Sequence, residues 1–171
     1  GSSCTESFWK NLIDGRTHIK KGNDSCDDAY IKAYANLDAI EMFDPGFFGI
    51  SEKDAMYMDP QHRFFIEQCW EVLEKSNTNP DDYDGKIGVY AGSSISTYLL
   101  HIWPKLLAHN LKPSELSRIL HLNGVDYLTS KVSYHMGLTG PSIGIQTACS
   151  TSLSAVQTAC MHLQTYLCDH A

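Results

Sequence analysis

The segment from Ile143 to Leu167 constrains the fold more than any other part of the chain. Ile143, Ile145 and Thr147 alternate with other residues, the period of a short strand. From about Thr151, the apolar residues Leu153, Val156, Cys160, Leu163 and Leu167 recur at steps of 3 and 4, the spacing of one helix face. Between strand and helix lies a run of small residues, Ala148 to Ser152, holding Cys149. A thiol on such a turn faces the free N–H groups and positive dipole end of the helix, which stabilise a thiolate. Ala148, Ser150, Thr151 and Ser152 leave room for a substrate carbonyl. The backbone N–H of Cys149 can itself serve as an oxyanion donor. A buried packing cysteine at a helix start is the other reading of this local pattern.

Further elements follow from the same rules. Residues 5–15 read as a short helix, capped by Thr5, closed by Gly15, with Phe8, Leu12 and Ile13 on one face. Residues 22–28 form a polar acidic loop that lacks the ligand spacing and closing Glu of a calcium loop. Asp44-Pro45-Gly46 is a turn, Ser51 caps a helix over 52–56, and Pro60 opens a helix reaching Lys75. Lys86 to Ala91 reads as a strand. Tyr98 to Leu122 reads as irregular helix broken at Pro104 and Pro113. Asp126 is placed to cap a helix through Met136, ended by Gly137. Strands alternating with helices predict an α/β domain.

At 171 residues the chain is sized for about one domain. Apolar residues make up 43%, enough for a core. The balance of 13 Lys+Arg against 20 Asp+Glu, net −7, argues against a general nucleic-acid surface. No apolar run reaches membrane-spanning length, and no basic region followed by an apolar stretch opens the chain. Cys4, Cys26, Cys69, Cys149, Cys160 and Cys168, without C-x-x-C spacing or secretory context, read as reduced thiols of a cytoplasmic protein. Cys160, His162, Cys168 and His170 resemble a zinc set. Helical positions i and i+2 lie about 200° apart, however, so Cys160 and His162 cannot converge on one ion, and no metal is expected.

Longer motifs carry a resemblance. Asp44-Pro45-Gly46-Phe47-Phe48-Gly49-Ile50-Ser51 and Met58-Asp59-Pro60-Gln61-His62-Arg63 resemble the N-terminal signature of β-ketoacyl synthases. Ile87-Gly88-Val89-Tyr90-Ala91-Gly92 resembles the family's next strand. Val132-Ser133-Tyr134, Gly140-Pro141-Ser142 and Thr147-Ala148-Cys149-Ser150-Thr151-Ser152-Leu153 resemble its active-site block, in family order. Gln146 before Thr147 is most similar to modular polyketide synthases whose acyltransferase acts in trans. The resemblance implies a thiolase-like fold, layered α/β/α/β/α when complete. Residues 1–171 would be a partial ketosynthase domain, its N-terminal half, lacking the first strand and the C-terminal half. It implies that Cys149 accepts an acyl chain from carrier-protein phosphopantetheine. Decarboxylative Claisen condensation with malonyl-carrier protein in polyketide biosynthesis follows. It also implies an acyl carrier protein partner, a homodimer paired through residues 142–147, and no cofactor bound by the chain.

The family's two catalytic histidines and second oxyanion donor belong to its C-terminal half. None of the eight histidines here lies in their motifs, and each reads as a surface or packing residue. Gln157 stands where many members carry His, and His62 where Gln is common. Three alternatives stay open: a non-condensing ketosynthase-like scaffold or acyl-transfer domain, a fatty-acid-type ketosynthase, and a thiol hydrolase or acyltransferase pairing Cys149 with a local His. A half-domain would expose sheet edges and core surface, so poor solution behaviour of the isolated chain is expected.

Overall fold

A computed structural model describes residues 2, 4–22, 32–108 and 110–171. Most of the acidic 22–28 loop, with Cys26, lies outside the described residues, as does His109. The chain divides into two compact units, Gly1–Met42 and Phe43–Ala171.

The first unit holds helix α1 (Thr5–Ile13) and a two-stranded antiparallel ladder of β1 (Lys20–Lys21) and β2 (Ala33–Tyr34). Thr5 is not the cap of α1. Cys4 takes the extended N-cap position, and the Ser7 hydroxyl accepts a hydrogen bond from the Cys4 N–H at 3.2 Å. Serine at the third helical position thus reaches back to the cap, and Thr5 already belongs to the helix. Gly15 stops the helix with φ +62, where a side chain would be strained.

The second unit begins with α2 (Glu52–Tyr57) and α3 (Pro60–Lys75). Ser51 caps α2 by accepting from the Asp54 N–H at 3.1 Å. Asp59, buried, caps α3 by accepting from the Gln61 N–H at 2.7 Å, with Pro60 at the first helical position. After β3 (Val89–Ala91) come α4 (Thr97–Ala108) and α5 (Pro113–Asn123). Pro104 does not break α4. Its ring removes the hydrogen bond to the Leu100 carbonyl, and the helix runs on for another turn. Pro113 opens α5.

Asp126 is not a helix cap. It lies inside a 3-10 turn, Val125–Tyr127, that feeds α6 (Leu128–His135) from Tyr127, so no free first turn remains for it to cap. Gly137 closes the helix with φ +65. Next come β4 (Ser142–Gly144), a second 3-10 turn at Ala148–Ser150, and α7 (Thr151–Gln164).

β3 and β4 pair in parallel, Val89 with Ser142 through Ala91 with Gly144, so the three intervening helices form the crossover. Both strands are shorter than their sequence pattern. Ile87 makes only an isolated parallel bridge to His170, while beyond Gly144 the Ile145 N–H still donates to the Ala91 carbonyl at 2.9 Å. The core joins α2, α3, β3, α5 and α6 through Ile50, Ala55, Met58, Ile66, Val89, Leu122, Val132 and Met136. Burying the larger of these side chains, Ile, Leu, Val or Met, is worth about 1.5–3 kcal/mol each.

Several polar groups inside this unit are paired across elements, while Arg63 Nε, Ser93 Oγ and Ser133 Oγ are buried without a hydrogen-bond partner among the described residues. Asn123, 5% exposed, donates to the Tyr57 and Ile119 carbonyls at 2.8 Å each and accepts from the Ser96 hydroxyl at 2.8 Å. The Gln61 amide donates to the Ser94 carbonyl at 3.2 Å and accepts from its N–H at 3.0 Å, acting as one rung of a sheet for the loop after β3. His62 is 1% exposed and its Nδ1 accepts from the Lys131 ammonium at 3.0 Å.

Burial and the nearby Lys131 charge push the His62 imidazole down to about 4, and burial brings the Lys131 ammonium down to about 8. A folded state that binds the His62 proton less well than the unfolded chain loses stability as pH falls from 6.5 towards about 4. The expected slope is up to about 1.4 kcal/mol per pH unit. His62→Gln should flatten that part of the profile in urea melts. An unchanged acid slope would show that His62 is not the group responsible.

Candidate active site

The turn that carries Cys149 is built by three elements meeting at Gly92. A Cβ at Gly92 would sit 1.9 Å from the Ile145 carbonyl oxygen and 2.5 Å from Thr151 Cγ2. The ends of β3 and β4 and the start of α7 are therefore in such close contact that only glycine fits. At the other end of the ladder, a Cβ at Gly140 would lie 2.4 Å from the Ile87 carbonyl, so this approach also requires glycine.

Beyond Ile145 the chain turns sharply. Ala148 adopts φ +51, a left-handed conformation that costs a residue with a Cβ about 1–3 kcal/mol. A ring of hydrogen bonds offsets this. The Thr151 hydroxyl accepts from the Thr147 N–H at 3.0 Å and donates to the Ala148 carbonyl at 2.8 Å. The Ser150 hydroxyl donates to the Thr147 carbonyl at 2.8 Å. The Thr147 hydroxyl donates to the Ser154 hydroxyl at 3.0 Å, tying the turn to the first turn of α7.

Cys149 sits on the 3-10 turn that leads into α7, and its side chain is exposed. It lines a cavity of about 500 Å³ with Tyr90, Gly92, Ala148, Ala155, Val156 and Ala159. The small side chains of α7 keep this space open. A larger apolar cavity of about 730 Å³ between α3 and β3 is lined by Phe65, Cys69 and Leu163 but not by Cys149. Of these two cavities, only the smaller is lined by Cys149. Cys69, by contrast, is half-buried and its thiol is pushed up to about 12 by burial. Among the described residues no histidine hydrogen-bonds to the Cys149 sulfur.

The apolar stripe of α7 is not covered within the unit. Cys160 is exposed rather than packed in a core. Leu153 and Val156, on the same stripe, are 76% and 61% exposed. Periodicity records that a helix has an apolar face, not whether anything within the unit covers it; α7 packs on β3 and buries Ala155 instead. The four residues that resembled a zinc set have other surroundings. His162 Nδ1 is 2.8 Å from the Tyr90 hydroxyl, Cys168 is buried 3.4 Å from the same oxygen, and His170 stacks on Tyr83. Burial and the Cys168 contact raise the Tyr90 phenol above its ordinary range. Sequence reasoning missed this Tyr90–His162–Cys168 cluster, because 72 residues separate its first two members. It also missed the Gln61 clamp and the bonding of the Thr151 hydroxyl.

The site is thus an exposed thiol on a strained strand-to-helix turn, inside an α/β unit with a parallel ladder. All of residues 1–171 match the family described as beta-ketoacyl synthase, N-terminal domain. A component of the phenolphthiocerol/phthiocerol polyketide synthase of Mycobacterium tuberculosis is 38% identical over 100% of this chain and 13% of its own length. The ketosynthase from module 1 of the bacillaene synthase of Bacillus amyloliquefaciens superposes with a TM-score of 0.85 at 29% identity, over 98% of this chain and 31% of that one. An oxazolomycin ketosynthase domain from Streptomyces albus gives 0.79 at 26% identity, over 95% and 30%. The chain belongs to the β-ketoacyl synthase family, and its fold is that of the N-terminal part of a thiolase-like ketosynthase domain. It spans about a seventh or less of the curated relatives' length.

Gly92→Ala should cost about 1–3 kcal/mol, as overpacking does, and slow alkylation of Cys149 by iodoacetamide. Wild-type stability together with wild-type alkylation would contradict the three-way contact at Gly92.

Proposed function

We propose that this chain is the nucleophile-bearing part of a condensing ketosynthase that extends polyketide chains. The observation that carries the reading is the exposed Cys149 thiol on its strained turn, facing a cavity of small side chains. The thiolate attacks the carbonyl carbon of an acyl thioester carried on phosphopantetheine, forming a C–S bond and moving the carbonyl π pair onto oxygen. The Cys149 N–H receives that oxyanion. Collapse breaks the older C–S bond, and the pantetheine thiolate leaves and takes a proton. In the second half-reaction, loss of CO2 from a malonyl-carrier protein supplies a carbanion. It attacks the acyl carbon and expels the Cys149 thiolate.

Under this reading the partners are acyl carrier proteins, the remaining half of the domain and a second copy of the domain paired through residues 142–147. The chain binds no cofactor, and substrates arrive on the carrier's phosphopantetheine. The exposed Leu153 and Val156 would be covered by the rest of the domain. Gln146 supports a synthase whose acyltransferase acts in trans. A cytoplasmic setting belongs to the same proposal and is supported by cysteines without C-x-x-C spacing. Among the described residues no helix is long and apolar enough to cross a membrane.

The test is mass spectrometry of the complete ketosynthase-containing protein after incubation with an acyl-carrier thioester or a cerulenin-like electrophile. Label should appear on Cys149 and vanish in Cys149→Ala. Label appearing first on another cysteine, or on none, would overturn the reading.

A further inference from the structure

We propose that Thr151 is a positioning residue that aims the Cys149 N–H at the developing oxyanion. The inference rests on the reading of Cys149 as nucleophile and adds a residue to it. The peptide unit between Ala148 and Cys149 is planar and trans, so its carbonyl oxygen and its N–H point in opposite directions from one rigid plate. Whatever holds the Ala148 oxygen therefore aims the Cys149 N–H.

That oxygen is held twice by one residue. The Thr151 hydroxyl donates to it at 2.8 Å, and the Thr151 backbone N–H donates to it as well. Two donors on one carbonyl polarise the peptide, leaving its N–H a better hydrogen-bond donor. The same hydroxyl oxygen accepts from the Thr147 N–H at 3.0 Å, so it grips the backbone on both sides of the left-handed Ala148. A hydroxyl has one proton to give, and here it goes to the Ala148 carbonyl. The Thr151 methyl lies against Gly92, close enough that a Cβ there would fall 2.5 Å from it, a packing contact separate from the two hydrogen bonds.

Each part of the side chain thus has a separate job. The hydroxyl orients the plate, and the methyl packs against Gly92. Valine keeps the shape without the hydrogen bonds, and serine keeps the hydrogen bonds without the methyl.

The test uses the complete ketosynthase-containing protein and two reactions of Cys149. Acylation by a hexanoyl thioester of N-acetylcysteamine passes through an oxyanion; alkylation by iodoacetamide does not. Thr151→Val should slow acylation about tenfold or more, since losing a whole oxyanion donor costs about 100-fold or more. Its alkylation rate should stay within about twofold of wild type. Thr151→Ser should recover most of the acylation rate. Equal losses in both reactions would assign Thr151 a purely structural role and overturn the proposal. So would wild-type acylation in Thr151→Val, or failure of Thr151→Ser to recover it. If Thr151→Val does not fold, Thr151→Ala compared with Thr151→Ser gives the same contrast. Wild-type protein that alkylates Cys149 but never acylates it would overturn the nucleophile reading itself.

Discussion

The close approach at Gly92 is the constraint on which the rest of the second unit depends. With the Ile145 carbonyl 1.9 Å from where a Cβ would be, any side chain at position 92 separates the two strands or lifts α7. The parallel ladder, the direction in which the chain leaves β4 and the start of α7 are all set by that contact. Gln61 supports it from a distance: its paired hydrogen bonds to Ser94 hold the loop just after Gly92, and buried Asp59 anchors the helix end from which Gln61 reaches.

Strain at Ala148 follows from this geometry. The chain must reverse direction between the last ladder bond of Ile145 and the first turn of α7, and a left-handed residue makes the reversal in one step. Hydroxyls of Thr147, Ser150 and Thr151 offset the cost and rigidify the turn. The result is a thiol presented outward from a backbone that cannot relax around it. Under the proposed function, preorganised dipoles of this kind would not need to reorganise as charge develops on the substrate.

The elements readable from the chain were those fixed by local chemistry. Ser51, Pro60, Gly15 and Gly137 mark helix ends through their own backbone preferences, and each sits where that preference predicts. The strand-turn-helix order around Cys149 was readable for the same reason. Local signals misled where two residue types compete for one job. Thr5 and Asp126 are good caps by type, yet Ser7 at one site and a 3-10 turn at the other supplied a different start. Contacts between distant segments left no local trace. The Tyr90–His162 bond and the Gln61 clamp join residues 72 and 33 positions apart, and nothing in either segment alone points to the other. The stripe Leu153, Val156 and Cys160 misled differently: its pattern was correct, but its cover does not come from within the unit.

Turn geometry and chemistry meet at one atom, the Cys149 nitrogen. The most direct measurement is a crystal structure of the complete ketosynthase domain trapped as the hexanoyl-Cys149 thioester. The acyl oxygen should lie about 3 Å from the Cys149 nitrogen, with Ala148 still left-handed and the Thr151 hydroxyl still on its carbonyl. An acyl oxygen pointing away from that N–H, or an Ala148 relaxed to a right-handed conformation, would contradict the account.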